Sequence, residues 1–374
     1  MNSSGAPFIT VVIPVYRVPK ALDRLLESLL LCKYPYKEII VIADEPTEET
    51  REILRKYSYK ITAIINEERK GKVAALNEGL RLGRGDIFLF IDNDIFLPEN
   101  STDFLDILVE EMQDVDVAEI NKEVVKDSFW ARLIYYDYIA FQVTNWLFSK
   151  SMKKTLGING AIFAVKRHVF EEIGPFNKTV SEDLDFALRV FKKDFKFKFI
   201  TRLKVYNIVY SDLKSWYNQR KRWAYGVASW VDENLLDLIS ISKRYPHIII
   251  PAVYIILPTL IFSLMTIYTP TPIIISLGHY ISRNYIPTIN APVSLFTLIP
   301  WIPMLLHASE TFWGFVVYTI IFFAFSKKMK FKFNPIEFAL YFFIYSPVWL
   351  TILLYGFVKV FIAHDGEIEI DWKV

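Results

Sequence analysis

Two aspartates separated by one residue follow an apolar segment in the N-terminal half of the chain. Asp92 and Asp94 flank Asn93, directly after the unbroken apolar run Ile87–Ile91. Such a run is typical of a strand buried on both faces of a parallel sheet, and open α/β sheets bind ligands beyond the carboxyl ends of their strands. Two oxygen ligands there suit a divalent cation that carries a diphosphate. A solvated turn is the alternative for an isolated Asp-x-Asp.

A lysine opens the helical segment that precedes this strand. Gly71 and Lys72 begin the helix predicted over Gly71–Arg81. A cation at the positive end of a helix dipole is unfavourable unless an anion lies there, so Lys72 is a candidate anion ligand. A solvated lysine is the alternative interpretation of this residue.

Acidic residues begin a later helical segment. Ser181 is predicted as its N-cap, and Glu182 and Asp183 fall in its first turn, where the dipole favours carboxylates even without catalysis. The functional hypothesis makes Asp183 a general base, since the dipole keeps its carboxylate ionised for taking a proton from a hydroxyl group. Asp185 is interpreted as structural.

The segment Trp216–Trp223 combines cations with aromatic side chains. Arg222 and Trp223 could hold a diphosphate and stack on a sugar. Alternatively, the basic residues Arg220–Arg222 and the aromatic segment Trp130–Trp146 lie at a membrane surface. Both interpretations can hold, because a strongly apolar region follows.

Alternating strands and helices position these residues. The predicted strands are Phe8–Val15, Glu38–Ala43, Ile61–Ile65 and Asp86–Ile91, and the helices between them are Pro19–Leu31, Thr47–Tyr57 and Gly71–Arg81. This order predicts an α/β domain with a parallel sheet and right-handed crossovers. Polar residues then end three strands at one edge, at Tyr16-Arg17, at Asp44 and at the aspartate pair, as a nucleotide pocket requires.

The middle of the chain is less regular. Ser128–Lys150 is rich in aromatic residues and predicts a helix, either in the core or against lipid or an acceptor. Gly157–Gly160 predicts a turn before the strand Ala161–Val165, and its glycines could let the backbone approach a ligand closely.

Composition divides the chain into two parts. Residues 1–240 are mixed and charged, like a globular enzyme, whereas residues 241–374 are dominated by apolar side chains and are predicted to form a membrane region. The net charge of +2 implies no attraction to nucleic acid. The single cysteine, Cys32, excludes an internal disulfide and a multi-cysteine zinc site. No signal peptide pattern precedes the first strand, so the N-terminal domain is expected to stay on the cytoplasmic side.

Three apolar runs are candidate membrane spans. Ile248–Tyr268 is long enough to cross the bilayer, Ala291–Phe325 contains one or two spans, and Ile336–Ala363 is one span or a hairpin broken at Pro347. The basic loop Lys327–Lys332 should face the cytoplasm. The number of spans stays open.

Taken in order, these motifs resemble the family 2 glycosyltransferases of the GT-A fold. The resemblance is to the membrane-embedded branch that includes cellulose, chitin and hyaluronan synthases and ceramide glucosyltransferase. It covers about residues 8–225, and the membrane region matches only in kind. The matching residues are Val12–Tyr16, Asp44, Gly71-Lys72 with Ala75–Asn77, Asp92–Asp94, Glu182-Asp183 and Gln219–Trp223.

The resemblance implies how a nucleotide-sugar donor would be bound. Asp44 would contact the base or ribose, and Lys72 the nucleotide side of the donor. Asp92 and Asp94 would hold the nucleotide and the metal, Mg²⁺ or Mn²⁺. The resemblance therefore implies a metal-dependent donor site at the carboxyl edge of the sheet.

It also implies the residues that act on the acceptor and the leaving group. Asp183 would deprotonate the acceptor hydroxyl, and Gln219, Arg222 and Trp223 would bind the diphosphate and the acceptor sugar. An inverting single displacement needs one such base, with metal and arginine on the leaving diphosphate.

The expected activity is hexosyl transfer from a nucleotide sugar, with UDP favoured, to a growing polysaccharide. The acceptor would lie at the plasma membrane and the catalytic domain in the cytoplasm. The alternatives are transfer of one sugar to a polyprenyl phosphate or glycolipid and, from another class, a non-catalytic membrane scaffold. Three features depart from the family pattern. No spans precede the catalytic domain, the membrane region is short, and Asp44-Glu45 stands in place of an aspartate pair. These departures weaken the expectation of a product channel. The sugar, linkage and oligomeric state are not predicted.

Overall fold

The structure, a computed structural model, describes residues 5–246 and 301–363. The predicted span Ile248–Tyr268 and the beginning of Ala291–Phe325 lie outside these residues. The chain begins with β1 Ile9–Tyr16, α1 Leu22–Leu31, β2 Lys37–Asp44, α2 Glu48–Lys56, β3 Thr62–Asn66, α3 Lys72–Leu82 and β4 Ile87–Ile91. This confirms the predicted alternation of strands and helices.

The four N-terminal strands form the parallel part of an eight-stranded sheet, whose order is β3-β2-β1-β4-β7-β6-β8-β5. Tyr16 lies beside Asp44, and Asp44 beside Asn66, in the registers of β1, β2 and β3. The polar residues at these strand ends therefore meet at one edge, as predicted.

The remaining strands make the sheet mixed, which the sequence did not predict. They and their helices are β5 Ile95–Phe96, α4 Phe104–Glu111, β6 Val117–Val124, α5 Phe129–Met152, β7 Ile162–Lys166, α6 Arg167–Ile173, α7 Glu182–Lys192, β8 Phe197–Asn207 and α8 Leu213–Arg244. Strand β7 is antiparallel to both β4 and β6, while β6 runs parallel to β8. The β6–β8 pairing contains an irregularity between Ile120 and Asn121.

Hydrophobic clusters cover both faces of this sheet. Every residue of Ile87–Ile91 is buried, as expected of a central strand with layers on both sides. Helix α1 buries its leucines against one face, and α5 lies in the cluster on the other. Most of α5 is buried, which favours the core helix among the alternatives for this segment.

The C-terminal part of the described chain is helical. It contains α9 Trp301–Lys328, α10 Pro335–Leu340, a π-helical turn Tyr341–Tyr345 and α11 Ser346–Phe361. The last three form one continuous helix of 27 residues that is long and apolar enough to cross a membrane, with a mean hydropathy of 1.7 over its most apolar 18 residues. The chain stays helical through Pro347, which lies just after the π-helical turn, so the hairpin alternative is wrong.

Helix α11 packs directly on α8. A Cβ atom added to Gly356 would lie 2.9 Å from the carbonyl carbon of Ala224. A contact that close requires glycine, because any side chain would push the two backbones apart. Helix α8 also crosses residue 240, and the proposed domain boundary there stays a prediction.

Candidate active site

The carboxyl end of β4 brings two aspartates and two lysines together. Lys72 Nζ lies 2.9 Å from Asp92 Oδ2, and Lys20 Nζ lies 3.1 Å from Asp94 Oδ2. The Lys20 ammonium also lies 5.2 Å from the centre of the Tyr210 ring. The two carboxylates thus occupy the predicted place, each beside a cation of the protein.

Strand β8 fixes the second aspartate. Asn207 Nδ2 donates to Asp94 Oδ1 at 3.2 Å, and the Ile208 N–H donates to the Asp94 carbonyl oxygen at 2.9 Å. These bonds hold Asp94 from a neighbouring strand end. Its orientation therefore depends on a strand that the sequence did not predict.

The residues present fit a divalent cation only together with a ligand. Among residues 5–246 and 312–363 no cluster of three or more His, Cys, Asp or Glu side chains could hold a metal by itself. Asp92 and Asp94 supply hard oxygen donors, and Mg²⁺ commonly takes one or two carboxylates plus the phosphate oxygens of a substrate. The donor set therefore suits Mg²⁺ or Mn²⁺ that arrives with a diphosphate.

Asp183 faces this edge from the start of α7. The Gly160 N–H donates to Asp183 Oδ2 at 3.1 Å, and the Leu184 N–H donates to Asp183 Oδ1 at 2.9 Å. Lys72 Nζ donates to the Gly160 carbonyl at 3.3 Å. A Cβ atom at Gly160 would lie 3.2 Å from Asp183 Oδ2 and 3.5 Å from Lys72 Nζ. Gly160 therefore joins the acidic helix start to the lysine that holds Asp92.

Lys72 has the anions that its position at a helix N-terminus requires. Besides Asp92, Glu182 Oε1 lies 3.7 Å from its ammonium. Burial lowers the pKa of Lys72, but Asp92 and Glu182 outweigh that effect, and the pKa is raised above its ordinary value. Burial raises the pKa of Glu182 to about 7, against the opposing effect of Lys72. Burial also raises the pKa of Asp92. Lys72 is thus the central cation of an acidic cluster.

Helix α8 brings Arg222 to the same cluster. Burial lowers the pKa of Arg222, and the acidic groups Glu182, Asp183 and Asp92 oppose that shift. The guanidinium therefore lies within electrostatic range of Asp92 and of the acidic start of α7. Gln219, one turn earlier, is half-buried, and its role stays a prediction.

A glycine sets the distance between α8 and α7. Ser181 occupies the N-cap position of α7, as predicted, although its hydroxyl makes no capping bond. A Cβ atom at Gly226 would collide with the Ser181 hydroxyl. Only glycine permits this approach, which brings α8 against the start of α7.

Arg220 lies on the other side of α8, away from the acidic cluster. Its guanidinium is fully buried, 2.8 Å from Asp137 Oδ2 and over the rings of Trp223 at 4.2 Å and Trp349 at 5.2 Å. The predicted membrane-surface face Arg220–Arg222 is therefore wrong for Arg220. Long cations of amphipathic helices usually reach solvent, but here a carboxylate and aromatic rings take up the charge.

Trp130, predicted at a membrane surface, and Trp223, predicted to stack on a sugar, both contact other side chains of the protein. Trp130 stacks on Trp216 with ring centres 5.2 Å apart. Trp223 is half-buried and carries the Arg220 guanidinium on its ring. The stacking of Trp223 on an acceptor sugar stays a prediction.

Asp44 is buried at the end of β2. It accepts hydrogen bonds from Asn66 Nδ2 at 2.9 Å and from the N–H groups of Lys70 and Gly71 at 2.9 and 2.8 Å. These bonds shape the loop that leads into α3 and Lys72. Contact of Asp44 with a nucleotide stays a prediction.

Sequence reasoning missed three residues of the cluster. Lys20 lies in the loop that follows the first strand, and this position was the available indication that it could reach the site. Glu182 was explained as a first-turn acid, since its burial could not be known. Asn207 gave no indication, because β8 was not predicted.

Comparison with known proteins places this geometry in a family. A family model described as "Glycosyltransferase like family 2" matches residues 6–226. The chain belongs to this family. This glycosyltransferase is 24% identical over 375 residues to the "Probable glycosyltransferase YdaM" of Bacillus subtilis (strain 168), which covers 96% of this chain and 84% of that protein.

Two further comparisons extend the finding. The enzyme is 22% identical over 272 residues to the poly-β-1,6-N-acetyl-D-glucosamine synthase of Staphylococcus epidermidis (strain ATCC 35984), covering 69% of this chain and 65% of that protein. The structure of the mannosyltransferase PcManGT from Pyrobaculum calidifontis, in complex with GDP-Man and Mn²⁺, superposes with a TM-score of 0.52 at 18% identity, covering 82% of this chain and 88% of that one. The fold is therefore an α/β domain of the GT-A type.

Proposed function

We propose that this glycosyltransferase moves a sugar, with inversion, from a nucleotide sugar to a growing polysaccharide at a membrane. One observation carries the proposal. Lys72 Nζ contacts both Asp92, at 2.9 Å, and the carbonyl of Gly160, at 3.3 Å, and the N–H of Gly160 donates to Asp183. An acid pair suited to the donor and a carboxylate suited to the acceptor are thus joined at one sheet edge.

Asp183 acts as the general base. The N–H groups of Gly160 and Leu184 each donate to one of its carboxylate oxygens and fix its orientation at the start of α7. The acceptor oxygen bonds to the anomeric carbon as the bond from that carbon to the diphosphate oxygen breaks. The hydroxyl proton passes to Asp183. One displacement of this kind inverts the anomeric centre.

The opposite side of the cluster binds the donor. Lys72 and Arg222 supply positive charge for the diphosphate, and Asp92 and Asp94 would hold Mg²⁺ or Mn²⁺. A bound cation neutralises charge on the leaving diphosphate. The Mn²⁺ and GDP-Man in the mannosyltransferase structure support a metal-assisted nucleotide-sugar donor for this fold. UDP is the favoured nucleotide, and GDP is the second one to test.

The acceptor is proposed from the relatives and from the C-terminal helix. The similarity to a poly-β-1,6-N-acetyl-D-glucosamine synthase supports a polysaccharide product. The apolar helix Pro335–Phe361 supports attachment to a lipid bilayer. We propose a catalytic domain over residues 1–240 on the cytoplasmic side of the plasma membrane, and a membrane region over 241–374.

A donor screen with the detergent-solubilised full chain tests this function. UDP- and GDP-sugars are supplied with Mn²⁺, Mg²⁺ or EDTA, and the released nucleotide diphosphate is measured. We expect release with a UDP-sugar and a divalent cation, and none with EDTA. Silence with every donor and metal would contradict the proposal. Product length separates a polymer from one sugar on a lipid, and the anomeric configuration reports inversion.

Asp183→Asn provides the matched control. We expect turnover to fall by about 10³-fold or more, because the amide cannot accept the proton, while nucleotide diphosphate binds as in the unaltered enzyme. Unchanged biological activity of this variant would instead favour the non-catalytic scaffold.

A further inference from the structure

A fully buried ion pair lies beneath the turn that contacts Asp183. Glu119 and Lys122 lie on β6 with no exposed side-chain surface, and Lys122 Nζ donates to Glu119 Oε1 at 3.0 Å. Burial lowers the pKa of Lys122, and Glu119 and, further away, Asp92 and Asp183 oppose that shift. The pair thus lies within electrostatic range of the site. Buried ion pairs seldom add stability over an apolar pair, so this one calls for another reason.

The second oxygen of Glu119 reaches the turn. Oε2 accepts a hydrogen bond from Asn145 Nδ2 of α5 at 2.7 Å and from the Asn159 N–H at 3.2 Å. One carboxylate therefore connects β6, α5 and the turn that contains Gly160. Lys122 compensates its charge from the other oxygen.

Hydrogen bonds within the turn connect Glu119 to Asp183, the proposed base. Asn159 Oδ1 accepts a hydrogen bond from the Ala161 N–H at 3.1 Å. The amide between these two residues, that of Gly160, donates to Asp183 Oδ2. Thr155 Oγ1 donates to the Gly157 carbonyl at 2.7 Å and stabilises the beginning of the same turn. The direction of the Gly160 N–H is thus determined by bonds that end at Glu119.

The strand is built for this arrangement. The pairing of β6 with β8 is irregular between Ile120 and Asn121, next to the ion pair. The β6–β7 ladder ends at Glu119, and beyond it the Gln142 amide takes the place of a strand partner, since its Oε1 accepts from the Lys122 N–H and its Nε2 donates to the Lys122 carbonyl, both at 2.8 Å. Such irregularities often re-aim side chains beside active sites.

We propose that Glu119 is a positioning residue for Asp183, which it orients through the Asn159–Gly160 turn. The proposal rests on the proposed function for the role of Asp183 as the base. The tether itself is independent of that role. It can therefore be tested without turnover.

Two double variants of the full chain separate the tether from the buried charge. E119Q/K122M keeps a carbonyl oxygen for Asn145 and Asn159 and removes both charges. E119M/K122M also removes both charges but has no acceptor. The two differ in the terminal group of residue 119, which is an amide that can accept the bonds of the turn in one variant and an apolar thioether in the other.

Hydrogen exchange and turnover are measured on both variants. We expect amides of residues 155–162 to exchange about tenfold faster in E119M/K122M, and at about the unaltered rate in E119Q/K122M. We expect kcat to fall about 10²-fold in E119M/K122M, with the donor KM within about threefold, because a misdirected base slows the chemistry and leaves donor binding intact. E119Q/K122M should keep kcat within about threefold.

Equal exchange and equal kcat in the two double variants would overturn the proposal. A rise in donor KM that matches the fall in kcat would do so as well, since it would indicate general loosening of the site. If no donor gives turnover even in the unaltered enzyme, the proposed function fails, and the exchange comparison still decides whether Glu119 holds the turn.

A third variant covers the case in which E119M/K122M does not fold. N159A removes the bond to the Ala161 N–H from the same turn and leaves the ion pair in place. We expect faster exchange of residues 155–162 and a fall in kcat of about tenfold at constant donor KM. Unchanged exchange and kcat in N159A would count against the proposal.

Discussion

Arg220 and Arg222 are two residues apart on α8, and the fold uses them in opposite ways. Arg220 is fully buried beside Asp137 and two tryptophan rings, on the side that faces the C-terminal helix. Arg222 is half-buried within range of Glu182, Asp183 and Asp92. Residues i and i+2 fall on nearly opposite faces of an α-helix, so neighbouring cations in a basic motif need not share a role.

One face of α8 therefore attaches it to the C-terminal helix, and the other face carries the arginine proposed to act in the reaction. The Arg220 side ties α8 to the apolar helix Pro335–Phe361, and Trp216 Nε1 adds a bond to the Tyr345 hydroxyl at 3.1 Å. The Arg222 side lies within electrostatic range of the acidic cluster, where the proposed diphosphate would bind. Substitutions on the two sides should therefore separate activity from stability.

Arg222→Ala should give the largest effect. We expect kcat/KM to fall by about 10²–10³-fold, because a cation aimed at the leaving diphosphate is lost. The Tm should change little. Arg222→Lys is the matched control and should recover part of the activity, since it keeps the charge without the planar fork. Unaltered turnover in Arg222→Ala would show that Arg222 does not serve the chemistry, and the proposed difference between the two arginines would be wrong.

Arg220→Met should act on stability instead. Removing one partner of a buried pair leaves Asp137 uncompensated, and we expect a loss of about 3 kcal/mol in the free energy of unfolding, seen as a lower Tm. The double variant D137N/R220M should recover much of that loss. Arg220→Met with an unaltered Tm and no turnover would mean that this arginine, too, serves the chemistry.

Gly226→Ala tests the point where α8 meets α7. The added methyl group would collide with the Ser181 hydroxyl, so we expect turnover to fall about tenfold as Arg222 moves away from the cluster. Removing that hydroxyl in S181A/G226A should restore most of the activity. If the double variant is no better than the single one, the spacing of the helices is not what matters.

Glu182→Gln should give the smallest change and the clearest pH dependence. The pKa of Glu182 is raised to about 7 from 4.5, so its favourable contribution to stability is complete below about pH 4.5 and is lost as the pH rises through about 7. In metal-free buffer, Glu182→Gln should raise the Tm by about 2–4 °C at pH 8 and leave it nearly unchanged at pH 4.5. A rise of equal size at both pH values would contradict this assignment.

The first half of the fold could be predicted from the sequence because its strands are continuous apolar runs. Ile87–Ile91 and its neighbours alternate with amphipathic helices, and parallel order follows from that alternation. Strand β6 could not be recognised in the same way. It carries Glu119, Asn121 and Lys122 inside the protein, so its pattern lacks the apolar run of a buried strand.

The site was predictable where a residue follows a strand or begins a helix. Asp92, Asp94, Lys72 and Asp183 all do so, and the structure brings their elements to one edge. The partners Lys20, Glu182 and Asn207 depend on long-range packing, which no local pattern reports. For the same reason the sequence could not tell Arg220 from Arg222.

The contact of Gly356 with Ala224 has a mechanical consequence. With only the Ala224 methyl group at this contact, the two helix backbones have no compliant layer to absorb relative movement. A tilt of the C-terminal helix would then move α8 with it and shift Arg222 relative to Asp183. The distance between Arg222 and the acidic cluster thus depends on the angle of a helix that contributes no charged group to that cluster.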